Sequence, residues 1–125
     1  MALSLVTGPT IEPLSLVEAK SHLRVDGTDD DALIDGLIRA AREYAETFTH
    51  RSFITQTWDL KLDAFPCEAF LIPMPPLVSV TSISYVDTNG TTQTWSSSEY
   101  TVDAPSGPMA RAGLIVPAYS YSFPS

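Results

Sequence analysis

The sequence is poor in charge, has a single cysteine and contains no long apolar run. Charged residues make up 18% of its 125 residues, against a typical share of about 25%. With 44% hydrophobic residues, this composition excludes a wholly disordered chain and favours a subunit that neighbours largely cover. Acidic residues outnumber basic ones by 15 to 7, which disfavours sequence-specific binding to nucleic acid. Cys67 has no second cysteine with which to form an internal disulfide.

Targeting and membrane-spanning segments are also missing from the sequence. The N-terminus lacks the basic region and the long apolar region of a signal peptide. No stretch reaches the roughly 18 apolar residues that a transmembrane helix needs. We therefore expect a soluble, intracellular protein, and its length fits one domain.

No motif for catalysis, cofactor binding or metal binding is present. The sequence has no GxSxG elbow, no HExxH or Cys/His zinc spacing and no glycine-rich phosphate loop. The two histidines, His22 and His50, fall on predicted helices, and Cys67 lies beside a carboxylate that does not activate a thiol. The acidic cluster at residues 26–31 does not match a calcium loop and is interpreted as the capped, solvated start of a helix. The sequence predicts no catalytic residue, no cofactor and no metal.

Two helices are predicted in the N-terminal half. Ser15 and Glu18 have the spacing of a capping box, which predicts a short helix over residues 16–25 that Asp26 and Gly27 end. A longer amphipathic helix is predicted over residues 29–49, because apolar residues recur at intervals of three and four. The apolar positions expected to form its buried face are Leu33, Ile34, Leu37, Ile38, Ala41, Tyr44, Ala45 and Phe48.

The opposite side of the longer helix is expected to face solvent. It carries Arg39, Arg42, Glu43 and Glu46, and opposite charges four residues apart on a helix surface stabilise it weakly. Because Leu37 is placed in the core, its replacement by aspartate is expected to unfold the domain through a buried charge.

The C-terminal half is expected to form short antiparallel strands. Apolar and polar residues alternate over residues 54–62, which is the pattern of a half-buried strand. Asn89 and Gly90 predict a hairpin at residues 87–90 with a type I′ turn, in which both residues have positive φ. The order of helices followed by strands indicates an α+β fold, with a helical hairpin of one short and one long helix before a small antiparallel β region. The other predicted strands are residues 78–86, 91–95, 100–103 and 114–116, and a short segment at residues 70–72 lies between prolines.

The predicted organisation is one domain with four parts: an N-terminal arm (1–13), a helical part (14–53), a strand-rich part (54–116) and an aromatic segment (117–125). The aromatic segment carries no charge, and its rings either pack on their own domain or bind a partner. Deletion of residues 119–125 is expected to preserve the fold and to weaken assembly. The candidate interaction residues are Tyr119, Tyr121, Phe123, Asn89 and Gly90.

Several segments follow one another in a distinctive order. They are residues 12–25 (EPLSLVEAKSHLRV), 29–34 (DDDALI), 40–46 (AAREYAE), 49–58 (THRSFITQTW) and 73–83 (PMPPLVSVTSI). Each segment is a weak signal alone. Together, their order and spacing resemble the head–tail connector (adaptor) family of tailed bacteriophages over residues 12–104.

The resemblance implies a structural virion protein that is made in the host cytoplasm and located in the neck. Such a protein would form a ring, usually of twelve copies, between the portal protein and a stopper or tail-terminator protein. DNA would pass through the ring without sequence-specific binding, and no membrane would be involved. The family pattern continues beyond Ser125 with another strand and a helix, so we expect either a short member or part of a longer product.

Two other function classes stay open from the residues alone. One is a small α+β protein-binding module that does not form a ring. The other is a small hydrolase or metal enzyme, which would need a pocket and a perturbed His22 or Asp29, and no residue spacing supports it.

The acidic surplus suits a DNA channel, because like charge keeps DNA from sticking to its wall.

Overall fold

The computed structural model describes residues 1–125 and contains two α-helices and seven β-strands. The fold is α+β, as the sequence predicts. In chain order the elements are β1 (Ala2–Thr7), α1 (Leu16–Leu23), α2 (Asp31–Thr49), β2 (Thr57–Lys61), β3 (Phe70–Ile72), β4 (Ile83–Val86), β5 (Thr92–Trp95), β6 (Tyr100–Asp103) and β7 (Gly113–Pro117).

The chain divides into two compact units. The first, here called the helical unit, comprises Ser4–Asp59, and the second, the strand unit, comprises Met1–Leu3 and Leu60–Ser125. β1 pairs with β2 in a two-stranded sheet, and every residue of β1 is exposed.

The predicted capping box starts α1. The Ser15 side chain accepts a hydrogen bond from the amide of Glu18, and the Glu18 carboxylate accepts one from the amide of Ser15 at 2.9 Å. The helix ends at Arg24, which adopts the left-handed conformation with φ of 56°. The end therefore comes shortly before the predicted stop at Asp26 and Gly27.

Carboxylates surround the start of α2 without capping it. Asp30 occupies the N-cap position, but its side chain makes no capping hydrogen bond. The prediction that this acidic cluster caps the helix is therefore wrong at Asp30. Asp31 instead forms an ion pair with Lys20 of α1, with Nζ and Oδ1 2.6 Å apart. At the other end, His50 closes the helix in the left-handed conformation.

The core of the helical unit is small and uses only part of the apolar surface of α2. Ala19 of α1 packs with Ile34 and Ile38, and Leu16 and Val25 lie against this cluster. The sequence predicts that α2 buries a face of eight apolar residues. In the structure this prediction is wrong for five of them, including the small residue Ala41, which is exposed.

Four apolar residues of that predicted core face, Leu33, Leu37, Tyr44 and Phe48, are exposed. A charge introduced at Leu37 would therefore remain in water, and the expectation that it unfolds the domain is wrong. The reason is geometric: α1 has only eight residues and packs against one edge of the apolar surface of α2.

The strand unit contains a three-stranded antiparallel sheet with the order β3-β7-β6 and the separate hairpin β4-β5. In the sheet, Ile115 of the central strand lies opposite both Phe70 and Val102, and it is fully buried. The strand predicted over residues 78–86 is shorter than expected, because only Ile83–Val86 pairs with β5.

Aromatic rings fill the core of the strand unit. Trp95 is buried, and its ring centroid lies 4.9 Å from that of Tyr100, 5.4 Å from that of Phe65 and 5.6 Å from that of Phe123. Phe65 also packs edge-on against Tyr85 of β4. This cluster joins the hairpin, the sheet and the C-terminal segment within one unit.

Candidate interaction surfaces

The polar side chains do not converge on a metal site. No group of three or more His, Cys, Asp or Glu residues is arranged to hold a metal ion. His22, His50 and Cys67 are exposed. Neither helix combines the length and the apolar character that crossing a membrane would require. The features that stand out on this molecule are exposed apolar surfaces and one buried charge cluster.

A line of exposed apolar side chains runs along α2 in the helical unit and is here called the α2 stripe. It consists of Leu33, Leu37, Tyr44 and Phe48, which are 62%, 58%, 73% and 76% exposed. At 100° per residue, the four side chains fall within an arc of about 60°. The rings of Tyr44 and Phe48 stack on each other with centroids 6.3 Å apart. The stripe therefore places two pairs of large apolar side chains, Leu33 with Leu37 and Tyr44 with Phe48, on one side of the helix.

The surface beside the α2 stripe is also uncharged. Gly36, Ala40, Ala41 and Thr47 flank it and are exposed. The charged residues that follow Asp31 on α2 all lie within another arc of about 100° on the far side of the helix. Apart from Asp31 in the first turn, the remaining arc of about 260° carries no charged residue.

A buried charge cluster holds the other side of α2. Arg42 and Glu46 are buried, with side chains only 5% exposed. The Arg42 guanidinium donates to Glu12 at 2.6 Å and to Glu46 at 2.7 Å. Glu46 also accepts from the amide of Phe53 and from Nε2 of Gln56, each at 2.7 Å. The sequence predicts a weak surface pair between Arg42 and Glu46. The pair is confirmed, but its predicted position at the surface is wrong, because both side chains are buried.

Hydrogen bonding keeps both buried groups charged. Burial opposes ionisation of Glu46, but its bonds from Phe53, Gln56 and Arg42 outweigh burial and lower the pKa of this carboxyl below its ordinary value. The hydrogen bond to Glu12 raises the pKa of Arg42, although burial acts in the opposite sense. The cluster fastens residue 12 and residues 53–56 to α2, on the side away from the α2 stripe.

The candidate residues Asn89 and Gly90 lie at the tip of the β4-β5 hairpin. The hairpin is confirmed, but its turn is not type I′, because Gly90 has a φ of 81° and Asn89 does not have a positive φ. The amide of Asp87 donates to the carbonyl of Thr91, so the loop has three residues and a glycine in the last position.

Asp87 stabilises this tip from within. Its carboxylate accepts hydrogen bonds from the amides of Asn89 and Thr91 and from the side chain of Gln93. The bond from the Thr91 amide contributes most to lowering the pKa of Asp87, followed by the bond from Gln93. The tip is therefore an ordered, exposed loop.

The three aromatic candidates of the C-terminal segment have different surroundings. Tyr119 is 97% exposed, and Tyr121 is also exposed. Phe123 is half-buried, and its ring stacks on Phe65 with centroids 5.4 Å apart and lies 6.1 Å from Phe70. Phe123 thus attaches the segment to the core of the strand unit, while the two tyrosines face solvent.

Sequence reasoning missed the two most informative features of the helical unit. The α2 stripe looks like core in the sequence, because periodicity identifies apolar positions and not what covers them. The charge cluster looks like an ordinary surface pair, because its partners Glu12, Phe53 and Gln56 are distant from Arg42 in the sequence. No local signal distinguishes either feature.

Comparison with known families places most of the chain in a described family. The family model described as Phage gp6-like head-tail connector protein matches residues 13–104. The matched part contains α1, α2 with its stripe, and strands β2 to β6, whereas β1, β7 and the C-terminal segment lie outside it. No match was found among curated proteins or among solved structures.

Proposed function

The chain belongs to the Phage gp6-like head-tail connector protein family, and on this premise we propose that its copies assemble into a ring that docks to the portal protein. As a member of that family it is a structural protein of the phage neck. In the proposed assembly the ring has about twelve subunits, and a stopper or tail-terminator protein binds its other face. DNA passes through the central channel.

The observation that carries this proposal is the large exposed apolar surface of a chain with few charges. Monomeric proteins rarely expose a contiguous apolar patch larger than a few hundred Å², and larger patches mark interaction sites. A subunit that is covered by neighbours in a ring would tolerate such surface. The proposal therefore accounts for both the low charge and the exposed stripe.

The negative charge supports the proposed channel. The formal net charge of −8 means that twelve copies would present many carboxylates and few basic groups to DNA. Like charge discourages a polyanion from adhering to the wall while it moves. DNA would thus pass without sequence-specific contacts.

Docking to other neck proteins is assigned to exposed residues of the strand unit. Tyr119 and Tyr121 present aromatic rings with a polar tip, a side-chain type that is enriched in protein interfaces. The hairpin tip at Asn89 and Gly90 is an exposed loop that hydrogen bonds to the Asp87 carboxylate stabilise. Phe123 supports the tyrosines by fixing the segment that carries them.

A stop codon in the gene for this chain tests the neck function directly. We expect infected cells to accumulate heads and tails that do not join, because the protein between them is missing. Expression of the wild-type chain from a plasmid should restore joined, infectious particles, as counted by electron microscopy and plaque assay. Normal joined virions without the chain would contradict the proposed function.

A further inference from the structure

We propose that the α2 stripe is the surface through which one copy of this chain packs against the next. This inference rests on the proposed ring and specifies which part of the subunit forms it. The stripe belongs to the helical unit, whereas the tyrosines and the hairpin that are assigned to other partners belong to the strand unit. In this assembly α2, the longest helix of the chain, mediates self-association.

The area of the α2 stripe fits a subunit interface. An aromatic side chain can bury about 150–250 Å². At the exposures observed, the four stripe residues leave roughly 500–600 Å² open, as large as the largest patch on a typical monomer. A specific interface buries about 800 Å² on each partner. The stripe and its uncharged flanks together approach that size.

The spacing within the stripe favours packing against another helix. Three residues of the stripe combine with two of its flank to follow intervals of four, three, four and three: Leu33, Leu37, Ala40, Tyr44 and Thr47. This is the heptad spacing that places side chains along one seam between packed helices. The small residues Gly36 and Ala40 at its edge allow a neighbouring backbone to approach closely.

The distribution of charge favours a second copy of the chain as the partner that binds the α2 stripe. Two copies each carry a formal charge of −8, so contact through their charged faces would be repulsive. The stripe and its flanks form the uncharged side of α2, where two acidic subunits can meet without placing carboxylates against each other. A strongly charged partner would find no counter-charge on this side.

The buried charge cluster makes the stripe available for this contact. Arg42 and Glu46 anchor α2 to residue 12 and to residues 53–56 of the same chain. These contacts fix the rotation of the helix about its axis. The rotation in turn directs Leu37 and Tyr44 outward. The helix is thus held in a defined orientation before any neighbour binds.

Glutamate substitutions within the stripe test the inference. We expect Leu37→Glu and Tyr44→Glu each to raise the concentration needed for half-assembly by at least about 100-fold, because a charge would lose its hydration in the interface. Glutamate is a good helix former, so both variants should keep the helical circular dichroism and the melting temperature of the unassembled wild type. Met109→Glu is the control, since Met109 is also exposed but lies in the strand unit.

Size-exclusion chromatography with light scattering separates the outcomes, both for the chain alone and with portal protein. Rings of the wild type and of Met109→Glu, with folded small particles for both stripe variants, would support the inference. Rings of all four proteins would overturn the inference and leave the proposed function standing. A wild-type chain that forms no ring under either condition would overturn both.

Discussion

Replacing Arg42 by methionine is expected to destabilise the helical unit by about 3–5 kcal/mol, the cost of breaking a buried ion pair from one side. Methionine fills similar space but leaves Glu46 buried without its cation. Glu12 also loses its partner, from which it accepts two hydrogen bonds. Denaturant titration followed by the helical circular dichroism at 222 nm measures the loss.

Arg39→Met is the matched control for this substitution. Arg39 lies on the same helix but is exposed, and its nearest carboxylate, on Asp35, is 3.9 Å away. Exposed pairs of this kind contribute little, so the change should stay within about 0.5 kcal/mol. Adding Glu46→Gln to Arg42→Met should recover part of the stability, because it removes the uncompensated charge and keeps an acceptor for the Phe53 amide. Equal effects of Arg42→Met and Arg39→Met would contradict the role of the cluster.

The same cluster gives the helical unit a defined pH dependence. The pKa of Glu46 in the folded protein lies below its ordinary value of 4.5, so the unfolded chain binds its proton more readily. The stabilising contribution is therefore fully present above about pH 4.5 and is lost as the pH falls through the folded-state pKa. Glu46→Gln should show a smaller loss of stability than the wild type over this acidic range.

Replacing Phe123 by alanine is expected to destabilise the strand unit by about 2–4 kcal/mol, slightly less than for a fully buried phenylalanine. The ring of Phe123 contacts Phe65, Phe70 and Trp95, and its removal leaves a cavity beside the buried tryptophan. This expectation corrects the one from the sequence, in which deletion of residues 119–125 preserves the fold. Denaturant titration followed by tryptophan fluorescence and near-ultraviolet circular dichroism measures the effect.

Tyr119→Ala separates stability from binding in the same segment. Tyr119 is almost fully exposed, so the free energy of unfolding should not change measurably. Under the proposed function, the variant should instead bind portal or stopper protein more weakly. A loss of stability as large as that of Phe123→Ala would contradict this separation. It would show that Tyr119 stabilises the fold in the same way as the half-buried Phe123.

The sequence predicts well those features that depend on local interactions. The capping box at Ser15 and Glu18, the alternation before and within β2 and the hairpin next to Gly90 are each determined by residues a few positions apart. Their physical causes are hydrogen bonds to nearby amides, the two-residue period of a strand and the backbone freedom of glycine. The structure confirms all three, although the turn type differs.

The features that the sequence does not reveal depend on distant partners. Arg42 is buried because Glu12 and the segment at Phe53 come to it from separate parts of the chain. Leu37 is exposed because α1 covers a neighbouring edge of α2. An amphipathic helix has the same sequence period whether its apolar face packs against its own chain or against another one. An interface between subunits therefore cannot be distinguished from a core face by its sequence pattern.

The most direct test of the account is native mass spectrometry of the wild-type chain over a series of concentrations, alone and with portal protein. The account predicts a closed ring of about 163 kDa, twelve times the subunit mass of 13.6 kDa, either free or bound to the portal. Particles of only one or two subunits under every condition, with no binding to the portal, would contradict it and would favour a small protein-binding module instead.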